Sequence, residues 1–251
     1  MLGPTDYANL RVFRFIPMPL HPVSAYLDLT KTQAASLFDG VEEVWQVIPN
    51  IAPWLAKHLR PGVEAELRAG TESLIYVGKD VRIGRGTIIH PGAVILGPAW
   101  IGEDCVIAPG CYVRENVIMG NRVIAGNSCE FKNCVIFDRA EVPHWNYVGD
   151  SILGHYTHLG AGVILSNWRH DHSSIPVIDP LAGRIETGLP KFGAIIGDEA
   201  DLGAHAVLNP GSLIGPRSIL YPGTIWRGIL PADRVVKLRQ SHEIVERRRE
   251  S

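Results

Sequence analysis

Every sixth residue from Val77 to Phe137 is apolar: Val77, Ile83, Ile89, Ile95, Ile101, Ile107, Val113, Met119, Ala125, Phe131 and Phe137. Small or β-branched residues follow four places later in each step, at Val81, Thr87, Ala93, Ala99, Cys105, Cys111, Val117, Val123, Cys129 and Val135. Neither a helical period of 3.6 nor a strand period of two produces this spacing. A six-residue step does, if each step is one short strand and one turn. Three steps then close a triangular coil of eighteen residues, and coils stack into a parallel β-helix. The leading aliphatic is expected to point into the prism. The glycines that often follow it (Gly78, Gly84, Gly102, Gly120, Gly126) are expected to supply the backbone freedom of a tight corner.

The flanking pattern divides the chain into an arm and helical cap over 1–70, a β-helix over 71–231 and a C-terminal helix over 232–251. Leu10–Phe15 reads as a strand. Asp28 or Thr30 can cap a helix running to Leu37. Val41, Val44, Trp45, Val47 and Ile48 share a helical stripe that Pro49-Asn50 ends, and Ile51–Leu59 can form another helix. Trp45 and Trp54 read as core aromatics packing the cap on the end of the β-helix. The coil is expected to start near Leu74 and hold register to Phe137. It then slips and continues through Val148-Gly149, Leu153-Gly154, Leu159-Gly160 and Leu165. Residues 169–190 leave the repeat as a long Pro- and Gly-bearing loop, a place where function concentrates. The ladder resumes at Ile196-Gly197, Leu202-Gly203, Leu208, Ile214-Gly215, Leu220 and Trp226.

At 251 residues the chain can bury a sizeable core, and a formal net charge of −2 gives no electrostatic footprint for nucleic acid or an anionic membrane. No apolar run of about twenty residues occurs, so no membrane helix is expected, and the N-terminus lacks a signal-peptide shape. Cys105, Cys111 and Cys129 fall on inward small-residue positions. With Cys134 they read as free buried thiols, without the CxxC spacing of a zinc pair, which fits a cytoplasmic protein.

The repeat resembles that of the hexapeptide-repeat, left-handed β-helix transferases. Val142-Pro-His144-Trp-Asn-Tyr147-Val-Gly-Asp150 resembles the AGHLSYLGD motif of the acetyltransferase domain of bacterial N-acetylglucosamine-1-phosphate uridylyltransferase/glucosamine-1-phosphate acetyltransferase. The resemblance implies His144 as general base, because an amine attacking a thioester must lose a proton. Asn127-Ser-Cys-Glu130-Phe-Lys132 resembles the family's NFVEMKK segment and puts Glu130 and Lys132 on its acidic and basic site positions. Arg114 matches its phosphate-binding Arg, Tyr147 a substrate-contacting Tyr. Gly160-Ala161-Gly162 with Asn167-Trp168 resembles its GAGT-to-CNY stretch, which implies Asn167 as a substrate-orienting residue and main-chain groups near Ala161 and Trp168 beside the acyl carbonyl. Lys191-Phe-Gly-Ala-Ile-Ile-Gly-Asp198 resembles KFKTIIGDD. Lys191 and Arg239 fall on positions that contact coenzyme A phosphates, and Ala204 and Pro222 on positions lining the pantetheine groove. The resemblance thus implies acetyl-CoA as co-substrate, a homotrimer with sites between subunits, and an amino-sugar phosphate or nucleotide-sugar as acceptor.

The match departs from the family at four positions: His158 replaces a substrate-binding Asn, Trp168 a Tyr, Ala204 a Ser and Pro222 an Ala. Loop 169–190 is about eighteen residues longer than the family's. It and His158 are expected to help set specificity, with the loop able to close over the site. The glycine-rich LxAGxGTRM nucleotide loop of the uridylyltransferase is absent from these residues. Two other readings compete. His155, His158, His170 and His172 do not follow the histidine spacing of the hexapeptide-repeat carbonic anhydrases. A β-helix of this kind can also serve as a non-catalytic or regulatory partner of a sugar nucleotidyltransferase.

Overall fold

Short strands of two to four residues recur along the chain and pair in parallel with the strand one coil away. The computed structural model describes residues 20–67, 74–239, 241 and 243–247. Three flat sheets result. The first face carries nine strands, including Val81–Ile83, Ala99–Ile101, Val117–Met119, Cys134–Ile136, Ile152–Leu153 and Ala194–Ile196. The second also carries nine, including Ile124–Asn127, Glu141–His144 and His158–Leu159. The third carries eight, including Tyr112–Val113, Glu130–Lys132, Tyr147–Gly149 and Ile164–Leu165. The chain is therefore the parallel β-solenoid that the hexad pattern predicts. Ladder hydrogen bonds begin earlier than Leu74, with Gly62–Val63 paired to Arg82 and Ile83. The strand expected at Leu10–Phe15 lies outside the described residues.

The leading aliphatics fill the prism. Ile83, Ile89, Ile95, Ile101, Ile107, Val113, Met119, Ala125 and Phe131 all belong to one fully buried column. The next inward residue is Ile136, five places on, and not Phe137. Phe137 instead points outward, edge-on to Phe38 with ring centroids 5.8 Å apart. Cys134, not Val135, takes the inward small position, so all four cysteines are buried and free. The coil shortens there: equivalent positions eighteen residues apart, such as Glu103 and Asn121, become seventeen apart, as in Asn133 and Asp150.

The glycines after the leading aliphatics serve close approach rather than unusual dihedrals. A Cβ on Gly84 would lie 2.7 Å from the carbonyl of Gly102 in the next coil. Positive φ falls elsewhere, on corner residues such as Asp104, Arg122, Arg139, Tyr156 and Arg217.

The outward residues of the first face are apolar too: Trp100, Ile118, Val135, Ile152, Ile195, Leu213 and Ile229. Water would meet an oily wall there, and the N-terminal segment covers it. The segment thus packs along a side of the prism rather than on its end. It is built mostly of 3₁₀ turns. Asp28 caps only Leu29–Lys31, and Thr32 turns extended before Ala35–Phe38. Val44–Asn50 is 3₁₀ with Pro49 inside it, followed by the α-helix Ile51–His58. Trp45 and Trp54 are buried in this layer, as expected.

The excursion after Asn167 joins the same layer. Pro176–Asp179 and Gly183–Glu186 form an antiparallel hairpin, and Ile175, Val177 and Phe192 are fully buried. His21 bridges cap and hairpin, with Nδ1 3.0 Å from the Tyr26 hydroxyl and Nε2 3.0 Å from Asp179. The hairpin is thus tied to the cap beside its turn, while Ile175, Val177 and Phe192 hold its base. After it the ladder continues in register, with Ser151 bonded to Ala194, 43 residues on. The expected C-terminal helix is not found among the described residues of 232–251. Val235–Val236 extends the second face by pairing with Ile219 and Leu220, and the other described residues of this stretch are irregular.

Candidate functional site

A filled prism has no internal cavity for a ligand, so chemistry must sit on its outer faces, and the first face is covered. The third face collects most of the polar residues singled out from the sequence. Arg114 follows Val113 and donates to Glu130 at 2.8 Å. Glu115 lies 3.5 Å from Arg114 and 3.7 Å from Lys132. Burial alone would raise the Glu115 carboxyl, but its own backbone N–H and the two cations hold it below the usual range. Arg114, Glu130 and Lys132 are therefore assembled within one chain, with Glu115 as an additional partner.

One coil further along, Tyr147 pairs with Glu130 across the ladder. Asn167 donates through Nδ2 to the Tyr147 hydroxyl at 3.1 Å and to Asp150 at 2.5 Å. Asn133 donates to the other oxygen of Asp150 at 2.8 Å. Burial raises the Tyr147 phenol, opposed by its bond to Asn167. Beyond Asn167, Trp168 turns its ring toward Lys191, whose Nζ lies 5.4 Å from the ring centroid. These two border a pocket of about 300 Å³ with Asn133, Asp150 and residues of the cap and loop, Ile48, Pro49, Leu189 and Pro190.

His144 stands at the other edge of the third face, at its corner with the second. It is exposed, and its ring lies beside that of Trp145, centroids 6.3 Å apart, with no hydrogen-bond partner among the described residues. Ala161, Ala204 and Pro222 continue the same corner in successive coils. The links are main-chain bonds from Gly162 to the His144 carbonyl, His205 to Ala161 and Gly223 to Ala204. Close approach is built in here as well, since a Cβ on Gly203 would sit 2.5 Å from the Pro222 nitrogen. Arg239 lies just past Val236, where this column ends. The residues suggested for coenzyme A thus fall into two groups. Ala161, Ala204, Pro222 and Arg239 follow the His144 corner, whereas Trp168 and Lys191 sit at the opposite corner.

His158 faces out from the second face and is 2.9 Å from Asp201, away from the Arg114 cluster. His155 is occupied by the Asp138 carbonyl at 2.8 Å, and His172 lies against Trp168. Sequence reading missed Asp150, Asn133 and Glu115. A signal was available: Asn133, Asp150 and Asn167 recur at the seventeen-residue coil spacing as a column of amide and carboxylate side chains.

Residues 95–178 match a family model described as the GMPPB C-terminal domain. The bifunctional protein GlmU of Methanococcus maripaludis is 32% identical over 183 residues, covering 73% of this chain and 43% of that protein. The chain thus spans less than half the length of such bifunctional relatives. The putative uncharacterized acetyltransferase YaiX of Escherichia coli is 38% identical over 188 residues, covering 74% of this chain and 81% of that one. Among solved structures, the polySia-specific acetyltransferase NeuO superposes with a TM-score of 0.35 at 15% identity, over 69% of this chain and 81% of that one. With YaiX related along four fifths of its length and the coil built on the hexad, this chain belongs to the hexapeptide-repeat family of left-handed β-helix acyltransferases.

Proposed function

We propose that the chain transfers the acetyl group of acetyl-CoA to the amine of an amino-sugar phosphate or nucleotide-sugar, in grooves between the subunits of a homotrimer. The observation that carries this is the corner column. His144 is exposed with a free ring, and Ala161, Ala204 and Pro222 stack beyond it as one small-residue track suited to a pantetheine arm.

In this reading His144 accepts the amine proton as nitrogen attacks the thioester carbon. The C–N bond forms, main-chain groups near Ala161 or Trp168 stabilise the oxyanion, and the C–S bond breaks. The proton then passes from the imidazole to the leaving sulfur. Arg114 and Lys132 bind the acceptor phosphate, with Glu130 and Glu115 holding them in place. Tyr147 opens the strand that follows the His144 corner, three residues on, so the Cα atoms of the two are at most about 11 Å apart, room for a sugar ring between their side chains. Tyr147, Asn167 and His158 contact the acceptor. Lys191 and Arg239 meet coenzyme A phosphates. Lys191 and Trp168 stand across the face from the corner column, so a complete donor site draws on two chains.

The test is release of free coenzyme A thiol from acetyl-CoA with glucosamine-1-phosphate, in the intact protein and in His144→Ala. A loss of 10²–10⁴-fold with an unchanged melting temperature is expected. Turnover within a few-fold of the parent excludes His144 as the base. A second reading draws on the match to a C-terminal domain and on the bifunctional relatives: a regulatory partner of a sugar nucleotidyltransferase. It predicts no thiol release, with nucleotide-sugar binding that is indifferent to His144→Ala.

A further inference from the structure

We infer that Asp150 is a positioning residue that locks the Asn167 side-chain amide, and that the lock fixes the hydrogen-bond polarity the acceptor must match. This rests on the acetyltransferase reading of the site. A carboxylate only accepts, so the Asn167 atom against Asp150 is its NH₂ group. The same nitrogen also donates to the Tyr147 oxygen. Both N–H bonds of Asn167 are then used, and its Oδ1 is left as an outward acceptor. The Tyr147 oxygen is already an acceptor, so its O–H is left as an outward donor. Among the described residues neither outward group has a partner.

Three further features support the lock. Asp150 is 3% exposed and its other oxygen is held by Asn133 at 2.8 Å, so it cannot turn away to water. No Lys, Arg or His lies within ion-pair distance of it among the described residues, so the two amides are its side-chain partners. Gly149 clears the space: a Cβ there would meet the Tyr147 hydroxyl, and would lie 2.7 Å from Asn167 Nδ2. The phenol lies back across Gly149 because residues two apart share a strand face.

The acceptor that satisfies both groups offers a hydroxyl or amine N–H to Asn167 and an unprotonated oxygen to Tyr147. A hydroxylated sugar bearing phosphate does so, and a purely apolar or acceptor-only molecule does not. Asp150→Asn removes the constraint, because an amide at 150 must present its own NH₂ to one neighbour and drive that neighbour to rotate.

Acetyl-CoA and glucosamine-1-phosphate kinetics, with the Asn167 side-chain NH₂ followed by ¹H–¹⁵N NMR, test this. In Asp150→Asn, KM for glucosamine-1-phosphate should rise roughly tenfold or more, while KM for acetyl-CoA stays within twofold. The slowly exchanging Asn167 NH₂ pair of the parent should exchange fast. Gly149→Ala, whose backbone is outside the left-handed region, should give the same one-sided KM change with Asp150 intact. A parallel rise of both KM values, or an Asn167 NH₂ pair that stays slow to exchange in Asp150→Ala, which removes the acceptor outright, overturns the lock. If the parent does not use glucosamine-1-phosphate, the acceptor reading fails, and the NMR exchange still decides the lock.

Discussion

Replacing Phe137 by alanine separates the two layers of this molecule and tests the register of the coil. The ring is fully buried, and it lies between the solenoid and the cap rather than inside the prism. Truncation exposes or voids roughly 150 Å², worth about 4 kcal/mol at 25 cal/mol per Å². Loss of the edge-on contact with Phe38 adds about 1 kcal/mol. The sum agrees with the 3–5 kcal/mol typical of Phe→Ala in a core. Because the cap would bear this loss, Trp45 and Trp54 should redden and gain quencher access at a temperature well below the loss of β signal in circular dichroism. In the parent both signals should change together. Ile136→Ala, inside the prism, should instead lower the β transition itself. If Phe137→Ala lowers only the β transition and leaves tryptophan emission of the cap unchanged, the outward placement of Phe137 is wrong.

Further outcomes follow from other contacts. Burial pushes the Cys105 thiol from 9.0 up to about 11, and Cys111 and Cys129 also upward. The unfolded chain therefore loses these protons first. Stability is intact below pH 9 and falls as pH rises toward 11, by roughly 3 kcal/mol for Cys105 alone. Denaturant midpoints across this range check it, and the folded protein should resist thiol reagents at pH 8. Gly126→Ala should cost about 3 kcal/mol, since a Cβ there runs into the backbone of Pro143, and thiol-release activity should fall with it because His144 is the next residue. Asp179→Ala removes the His21 contact and the carboxylate oxygen that accepts from the Leu181 and Ala182 N–H groups of the turn. Proteolysis within 180–186 should accelerate while the β transition moves little.

The hexad was legible because a solenoid repeats one environment many times, so a single inward position shows as a period. It failed where two neighbours were both apolar. Ile136 and Phe137 each fit a buried site, and with an oily first face the period cannot say which one enters the prism. The C-terminal segment misled for a related reason. Its polar and charged residues favour helix locally, but Val235 and Val236 gain ladder bonds to Ile219 and Leu220, and tertiary pairing outweighs propensity. In the proposed site, Arg114, Glu130, Lys132, Tyr147 and Asn167 were legible through their motifs. Asp150 and Gly149 were not, because what they do is settled by neighbours one coil away and not by the residues beside them in sequence.

The excursion between Asn167 and Ala194 leaves at one corner and returns to the ladder with every strand still paired. It packs on the cap and on the outward side of the first face, where Pro176–Asp179 lies against Ser212–Ile214 and Ile229–Leu230, and it stays out of the prism interior. The turn at Leu181, which is fully in solvent, can therefore change in length and composition without unpairing a coil, whereas Ile175, Val177 and Phe192 are held by the layer beneath them. Exchanging the turn for another is a graft confined to one edge of the molecule. The outer turn of such a chain can drift quickly while its scaffold stays still.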